Sequence, residues 1–207
     1  MEDVLDLYVK PYDPKQPVVC FDEKPVQLVE ETRVPRPVAP GRPALHDYEY
    51  RRKGTANIFM HVEPLGSRRH VAVTEQRTRL DFAEQMRQLL DVHYPEADRI
   101  HVVLDNLNTH EPASLYEAYA PEEARRIMRR LCFHHTPKHA SWLNMAEIEI
   151  GVLGAQCLNR RIPSRDILTC ETSAWEAERN AAGATIRWRF TVQNARCRLS
   201  HLYPVHS

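Results

Sequence analysis

Pro17-Val18-Val19-Cys20-Phe21-Asp22-Glu23 and Arg99-Ile100-His101-Val102-Val103-Leu104-Asp105 decide how this chain folds. Each is a short, nearly continuous apolar run that closes on an acid. Apolar runs without polar alternation suit strands buried on both faces of a sheet. In open α/β sheets, ligands bind at the ends of such strands. Asp22 and Asp105 are therefore expected at the ends of two central strands. Asp105 followed by Asn106 is equally ordinary turn chemistry.

Working outward, Val26 to Arg33, Thr55 to Val62, His70 to Gln76 and Leu131 to His135 read as further strands. Leu80 to Val92 carries Phe82, Met86, Leu89 and Leu90 at helical spacing. Residues 113–130 hold one or two helices, with Pro121-Glu122-Glu123 a suitable first turn. Ser141 is expected to cap a long helix reaching about Arg161, and the chain from Ser164 reads as mostly helical. Met1 to Tyr8 reads as the end of a helix, and Pro11, Pro14 and Pro17 make a linker after it. Val34 to Pro43 holds Pro35, Pro37, Pro40 and Pro43, which exclude helix and central strand and leave an exposed loop with Arg33, Arg36 and Arg42 in or beside it. The order predicts a mixed α/β sheet with helices on its faces. The expected division is a leading segment at 1–16, a main domain at 17–163 and a helical extension at 164–207.

Counting 100° per residue along the Ser141 helix, Leu143, Ala146, Ile150, Leu153 and Cys157 form one apolar stripe with Glu147 inside it. Glu149 falls between that stripe and a second one (Met145, Ile148, Val152) and is expected to reach solvent. A buried Glu147 needs either a cation or an arginine partner. Three acids from two strands and a helix can converge on magnesium, which takes hard oxygen ligands. Without a cation such a trio repels itself, by about 4 kcal/mol for two charges 4 Å apart at an effective dielectric of 20.

The 207 residues suffice for one domain, and 43% hydrophobic with 27% charged residues is globular composition. Lys plus Arg and Asp plus Glu both number 28, so the chain lacks the positive field with which a domain would hold nucleic acid unaided. Five scattered cysteines with no C-x-x-C argue against a disulfide scaffold. No run of eighteen apolar residues allows a membrane helix, and the acidic start, Met1-Glu2-Asp3, is unlike a signal peptide.

Asp22-Glu23-Lys24 with Gln27, Tyr50 with Gly54-Thr55, Leu104-Asp105-Asn106 with Thr109-His110, and above all Thr136-Pro137-x-His139-x-Ser141-Trp142-Leu143-Asn144-x-x-Glu147 stand in this order along the chain. In these blocks the sequence resembles the bacterial mariner-superfamily DDE transposases of the insertion sequence 630 type. The resemblance implies a ribonuclease-H-like fold, a mixed five-stranded sheet flanked by helices. It implies a catalytic, metal-binding triad at Asp22, Asp105 and Glu147, with Mg²⁺ (Mn²⁺ as substitute) as cofactor, two ions in number. It also implies double-stranded DNA as partner (transposon ends and target), a homodimer in the active complex, and a bacterial cytoplasmic, nucleoid-associated location. Family members carry N-terminal helix-turn-helix modules, so their absence here would explain the neutral charge. The alternatives are a nuclease of the same fold without strand transfer and a non-catalytic remnant.

Lys138, His139, Arg160, Arg161 and His110 are the expected DNA contacts, each also readable as ordinary surface or loop packing. Cys132, His134, His135 and His139 match no four-ligand zinc spacing. Arg125, Arg126, Arg129 and Arg130 recur at helical spacing, and Trp142 reads as a packing anchor.

Overall fold

A computed structural model describes residues 1–33, 38–42 and 48–203. Half of the proline-rich loop, residues 34–37 and 43, therefore lies outside the described residues. The chain runs α1 (Glu2–Tyr8), β1 (Val18–Glu31), β2 (Tyr50–Glu63), β3 (Arg68–Thr74), α2 (Arg79–Gln88), β4 (Ile100–Leu104), α3 (Ala113–Ala118), α4 (Pro121–Met128), β5 (Leu131–His135), α5 (Ala146–Gln156), α6 (Arg165–Ala181) and α7 (Val192–Arg198). The sheet order is β3-β2-β1-β4-β5. β1, β2 and β3 are antiparallel neighbours, while β4 and β5 run parallel to β1.

β1 is one strand of 14 residues where the sequence reading expects two. Pro25 does not interrupt it, for a reason visible in the pairing. β4 accompanies β1 only through Val18, Val19 and Cys20. Beyond Cys20 that edge of β1 is open, so a missing N–H costs no ladder bond. Asp22 consequently lies inside a strand, just past the point where β4 leaves it, and not at a strand end.

Alternation then sorts the side chains. Val19, Phe21, Val102 and Leu104 share one core with Phe82, Met86, Leu115 and Ile127, under α2, α3 and α4. Cys20, Met60 and Val103 share the other with Val4, Leu7, Ala146, Leu153, Leu168 and Trp175, under α1, α5 and α6. Each fully buried Leu, Val or Phe contributes about 1.5–3 kcal/mol. α2 opens on a capping box, Thr78 Oγ1 accepting from Asp81 N at 3.3 Å while Thr78 N donates to Asp81 Oδ2 at 2.7 Å.

The long helix expected from Ser141 is shorter and starts later. Ser141–Leu143 form a 3₁₀ turn with no side-chain cap, Asn144 is extended, and α5 begins at Ala146. The apolar stripe itself holds, with Leu143, Ala146, Leu153 and Cys157 buried and Ile150 partly buried, but Glu147 does not lie in it. In the helix itself Ala146, Glu149 and Leu153 point inward, and Glu147 is exposed. The expectation for the two glutamates is reversed.

Glu149 is 0% exposed, as is Arg69 of β3. Arg69 Nε and Nη2 donate to Glu149 Oε2 and Oε1 at 2.9 and 3.0 Å, and Arg179 of α6 donates to the same two oxygens at 3.1 and 3.0 Å. Burial alone would push the Glu149 carboxyl up, but the two guanidiniums outweigh it and hold the acid below its ordinary range. Removing one member leaves a buried charge uncompensated. Glu149→Gln and Arg69→Met should each cost about 3–5 kcal/mol in urea unfolding, and a Glu149→Leu/Arg69→Met double variant should recover most of that loss.

His61 and His93 supply a second measurable signature. Burial chiefly, then neighbouring histidines, lower His61 to about 3 and His93 to about 4. The folded protein thus keeps both neutral while the unfolded chain takes protons near pH 6.5, so their stabilising contribution is lost as pH falls below that value. The drop in urea midpoint from pH 7 to pH 5 should shrink in a His61→Gln variant.

Candidate active site

The register of β1 against β4 runs Val18–His101, Val19–Val102, Cys20–Val103. Continued two places, it sets Asp22 opposite Asp105. Parity puts both on the sheet face shared by Cys20, Met60 and Val103, where α5 packs. Glu147 stands in the first turn of α5. The start of α5 is tied to β1 by Asn144, which is fully buried: its Nδ2 donates to the Phe21 carbonyl at 2.7 Å, and its Oδ1 accepts from Ala146 N at 3.1 Å. That carbonyl immediately precedes Asp22. One amide side chain therefore couples the helix bearing Glu147 to the strand bearing Asp22.

Asp22 Oδ1 accepts from Glu23 N at 2.8 Å. Asp105 Oδ1 accepts from His110 Nδ1 at 2.7 Å and Leu107 N at 3.1 Å. Among the described residues no lysine or arginine pairs with Asp22 or Glu147, so neither acid is spent on a salt bridge. Burial pushes the Asp22 carboxyl up to about 7 against the pull of the Glu23 N–H, and the charges of Asp105, Glu23 and Glu147 push it the same way. The His110 hydrogen bond holds Asp105 low. Burial would lower His110, but Asp105 and Glu23 override it and raise the imidazole to about 9.

Among the described residues, no three His, Cys, Asp or Glu side chains lie close enough together to hold a metal ion as they stand. The fit to a divalent cation is chemical and electrostatic. Asp22 and Asp105 offer hard oxygen donors whose charges repel each other, and among the described residues no lysine or arginine pairs with Asp22.

The remaining expected contacts fall in different places. His110 is 1% exposed, wedged against Phe21 and Phe82 with centroids 5.2 and 5.0 Å away, so it faces carboxylates and not solvent. Lys138 and His139 are exposed in the loop before α5, with His139 at a positive φ of 65°. Arg160 pairs with Glu171, and Arg161 pairs with Glu31 while lying 5.5 Å from the Tyr50 ring. Arg126 is engaged by Glu123 and Asp91, and Arg130 donates to the carbonyls of Tyr94, Pro95 and Ala97, which absorbs half of the basic stripe into packing. His134 bonds His101 at 2.9 Å and Asp3 at 2.7 Å, tying α1 to the sheet. Trp142 is 42% exposed and stacks on Trp188 at 6.2 Å. Glu23, Asn144 and the Glu149 clamp carry structural weight that the sequence reading left unassigned. For Glu23 and Glu149 the available signal is a charge set among apolar neighbours, which must find a partner.

Three antiparallel strands followed by two parallel ones, with helices on both faces and acids on the central pair, define a ribonuclease-H-like α/β fold. Residues 17–169 match the family model described as DDE superfamily endonuclease, and the chain belongs to that family. The same fold appears in the crystal structure of the Mos1 mariner paired end complex with Mn (16% identity, TM-score 0.57, covering 88% of this chain and 55% of that one). It appears again in the mariner Mos1 paired end complex with Mg (19%, 0.54, 99% and 61%) and in the Mos1 strand transfer complex (17%, 0.52, 81% and 50%). This chain thus spans between half and about three fifths of those chains. A comparison with curated proteins found no match.

The raised Asp22 acid gives this site a stability signature. Its folded pKa lies above the unfolded value, so ionising it costs stability as pH rises between the two. With divalent ions chelated, Asp22→Asn should be more stable than the wild type at pH 8, by about 1–3 kcal/mol in urea unfolding, and the gain should fade toward pH 4.

Proposed function

We propose that this chain is the catalytic domain of a mariner-superfamily DNA transposase of the bacterial insertion sequence 630 type. In this reading it cleaves DNA at transposon ends and joins the freed 3′-hydroxyl to target DNA. Asp22, Asp105 and Glu147 are the catalytic acids, and Mg²⁺, two ions with Mn²⁺ as substitute, is the cofactor they hold. The observation that carries the reading is the β1–β4 register, which continued two places sets Asp22 opposite Asp105, with Asp22 pushed up to about 7 chiefly by burial and then by the charges of Asp105, Glu23 and Glu147. Family membership and the fold shared with Mos1 complexes solved with Mn and with Mg support it.

A phosphodiester is attacked by a water or hydroxyl oxygen, the bond from phosphorus to the leaving 3′ oxygen breaks, and that oxygen takes up a proton. Bound divalent ions would lower the pKa of the attacking oxygen and stabilise the leaving one. The chain's own residues hold the geometry. Asn144 and the Glu149 clamp keep α5 against the sheet, and His110 keeps Asp105 ionised. A cleft beside α5 lined by Lys24, Gln27, Gly154, Asn159 and Arg160 offers cationic and polar groups to a phosphate backbone. Lys138, His139 and Arg161 are further proposed contacts. Pairing of two transposon ends calls for a homodimer, and end recognition calls for DNA-binding modules beyond this domain. The division at 1–16, 17–163 and 164–207 belongs to the same proposal.

Strand-transfer assays with pre-cut ends in Mg²⁺ or Mn²⁺ test the reading. Joining should occur and should fall about a thousandfold or more in Asp22→Asn, Asp105→Asn and Glu147→Gln. Hydrolysis without joining would instead mark a nuclease, and calorimetry showing no divalent-ion binding would mark a non-catalytic remnant.

A further inference from the structure

Glu23 follows Asp22 directly, and alternation sends its side chain to the opposite sheet face, into the core under α2. There it is 3% exposed. A carboxylate in such a place is retained at a cost unless it is paired. Its Oε2 lies 2.8 Å from His110 Nε2, though too bent for a well-aligned hydrogen bond, and among the described residues its Oε1 meets Arg77 Nη1 at 3.5 Å. The other ring nitrogen of His110 reaches Asp105 Oδ1 at 2.7 Å. Phe21 meets the imidazole nearly edge-on, at 73°, and Phe82 tilts over it at 34°. The backbone is held as well, since His135 Nε2 donates to the His110 carbonyl at 3.3 Å.

We propose that Glu23 and His110 are positioning residues for Asp105: the buried Glu23 fixes the His110 ring, and the ring occupies Asp105 Oδ1 so that Oδ2 is turned toward the cation site. The inference rests on Asp105 serving as a metal ligand. Oδ1 is saturated by His110 Nδ1 and Leu107 N, whereas Oδ2 has no hydrogen-bond partner among the described residues. With Glu23 removed, the aromatic walls still confine the ring, but among the described residues no other acceptor meets its Nε2 to choose between its two flipped orientations. One of those orientations presents carbon to Asp105.

Mn²⁺ titrations of the full chain, followed by electron paramagnetic resonance, test this in wild type, Glu23→Gln, His110→Asn and the double variant, with thermal midpoints measured alongside. Each single variant should bind Mn²⁺ at least about tenfold more weakly. Adding Glu23→Gln to His110→Asn should change affinity less than about twofold, because Glu23 acts through the ring. Wild-type affinity in Glu23→Gln overturns the proposal. A full, additive loss in the double variant overturns it too, since that would mean Glu23 acts through its charge alone. Failure of the wild type to bind Mn²⁺ overturns the metal-site reading beneath it, which is a distinguishable result. Should the variants not fold, the wild-type His110 ring signals in ¹H–¹⁵N spectra carry the test: they should move on saturation with Mg²⁺, and signals that stay put overturn the proposal.

Discussion

Three residues of parallel pairing, Val18, Val19 and Cys20 of β1 against His101, Val102 and Val103 of β4, set the geometry on which the rest depends. Because side chains alternate, this register decides that Asp22 and Asp105 share a face and that Glu23 takes the other. A slip of one residue would send Asp22 into the core under α2 and Glu23 toward α5. Because β4 stops there, β1 continues with one edge open, which tolerates Pro25 and leaves room beside Asp22.

Folding gathers like charges at this place. Asp22 is held against its preference for water, with Asp105, Glu23 and Glu147 adding to the strain, while the nearby imidazole of His110 is committed to Asp105 and Glu23. Among the described residues neither Asp22 nor Glu147 has a lysine or arginine partner, and under the proposed function a divalent cation would offset this repulsion. Stability comes from elsewhere, in two apolar cores on either side of the sheet.

The helix that brings Glu147 owes its place to polar groups. Asn144 binds the Phe21 carbonyl, and Glu149 is gripped by one guanidinium from β3 and one from α6. A ring of apolar contacts would allow α5 to slide or rotate at little cost. These directional bonds do not, and they fix which glutamate is buried against arginine and which is exposed.

Much of this was legible in the linear pattern. The apolar runs at 100–104 and 131–135, the helical spacing of Phe82, Met86 and Leu89, and the acids after Phe21 and Leu104 are local signals. Hydrophobic periodicity reports local burial directly. The merging of two expected strands into β1 was not legible, because the tolerance of Pro25 depends on which edge β4 leaves uncovered. The roles of Glu147 and Glu149 were not legible either. A helical phase counted from Leu143 assumes one continuous helix, whereas Asn144 is extended and its side chain bonds Phe21, far away in sequence. The chain by itself determined the element order, the α/β class and the acids worth watching. Only the tertiary structure decided which charges are buried against arginine, which stay open beside one another, and which histidine stands between them, since those outcomes depend on groups that meet across the sheet.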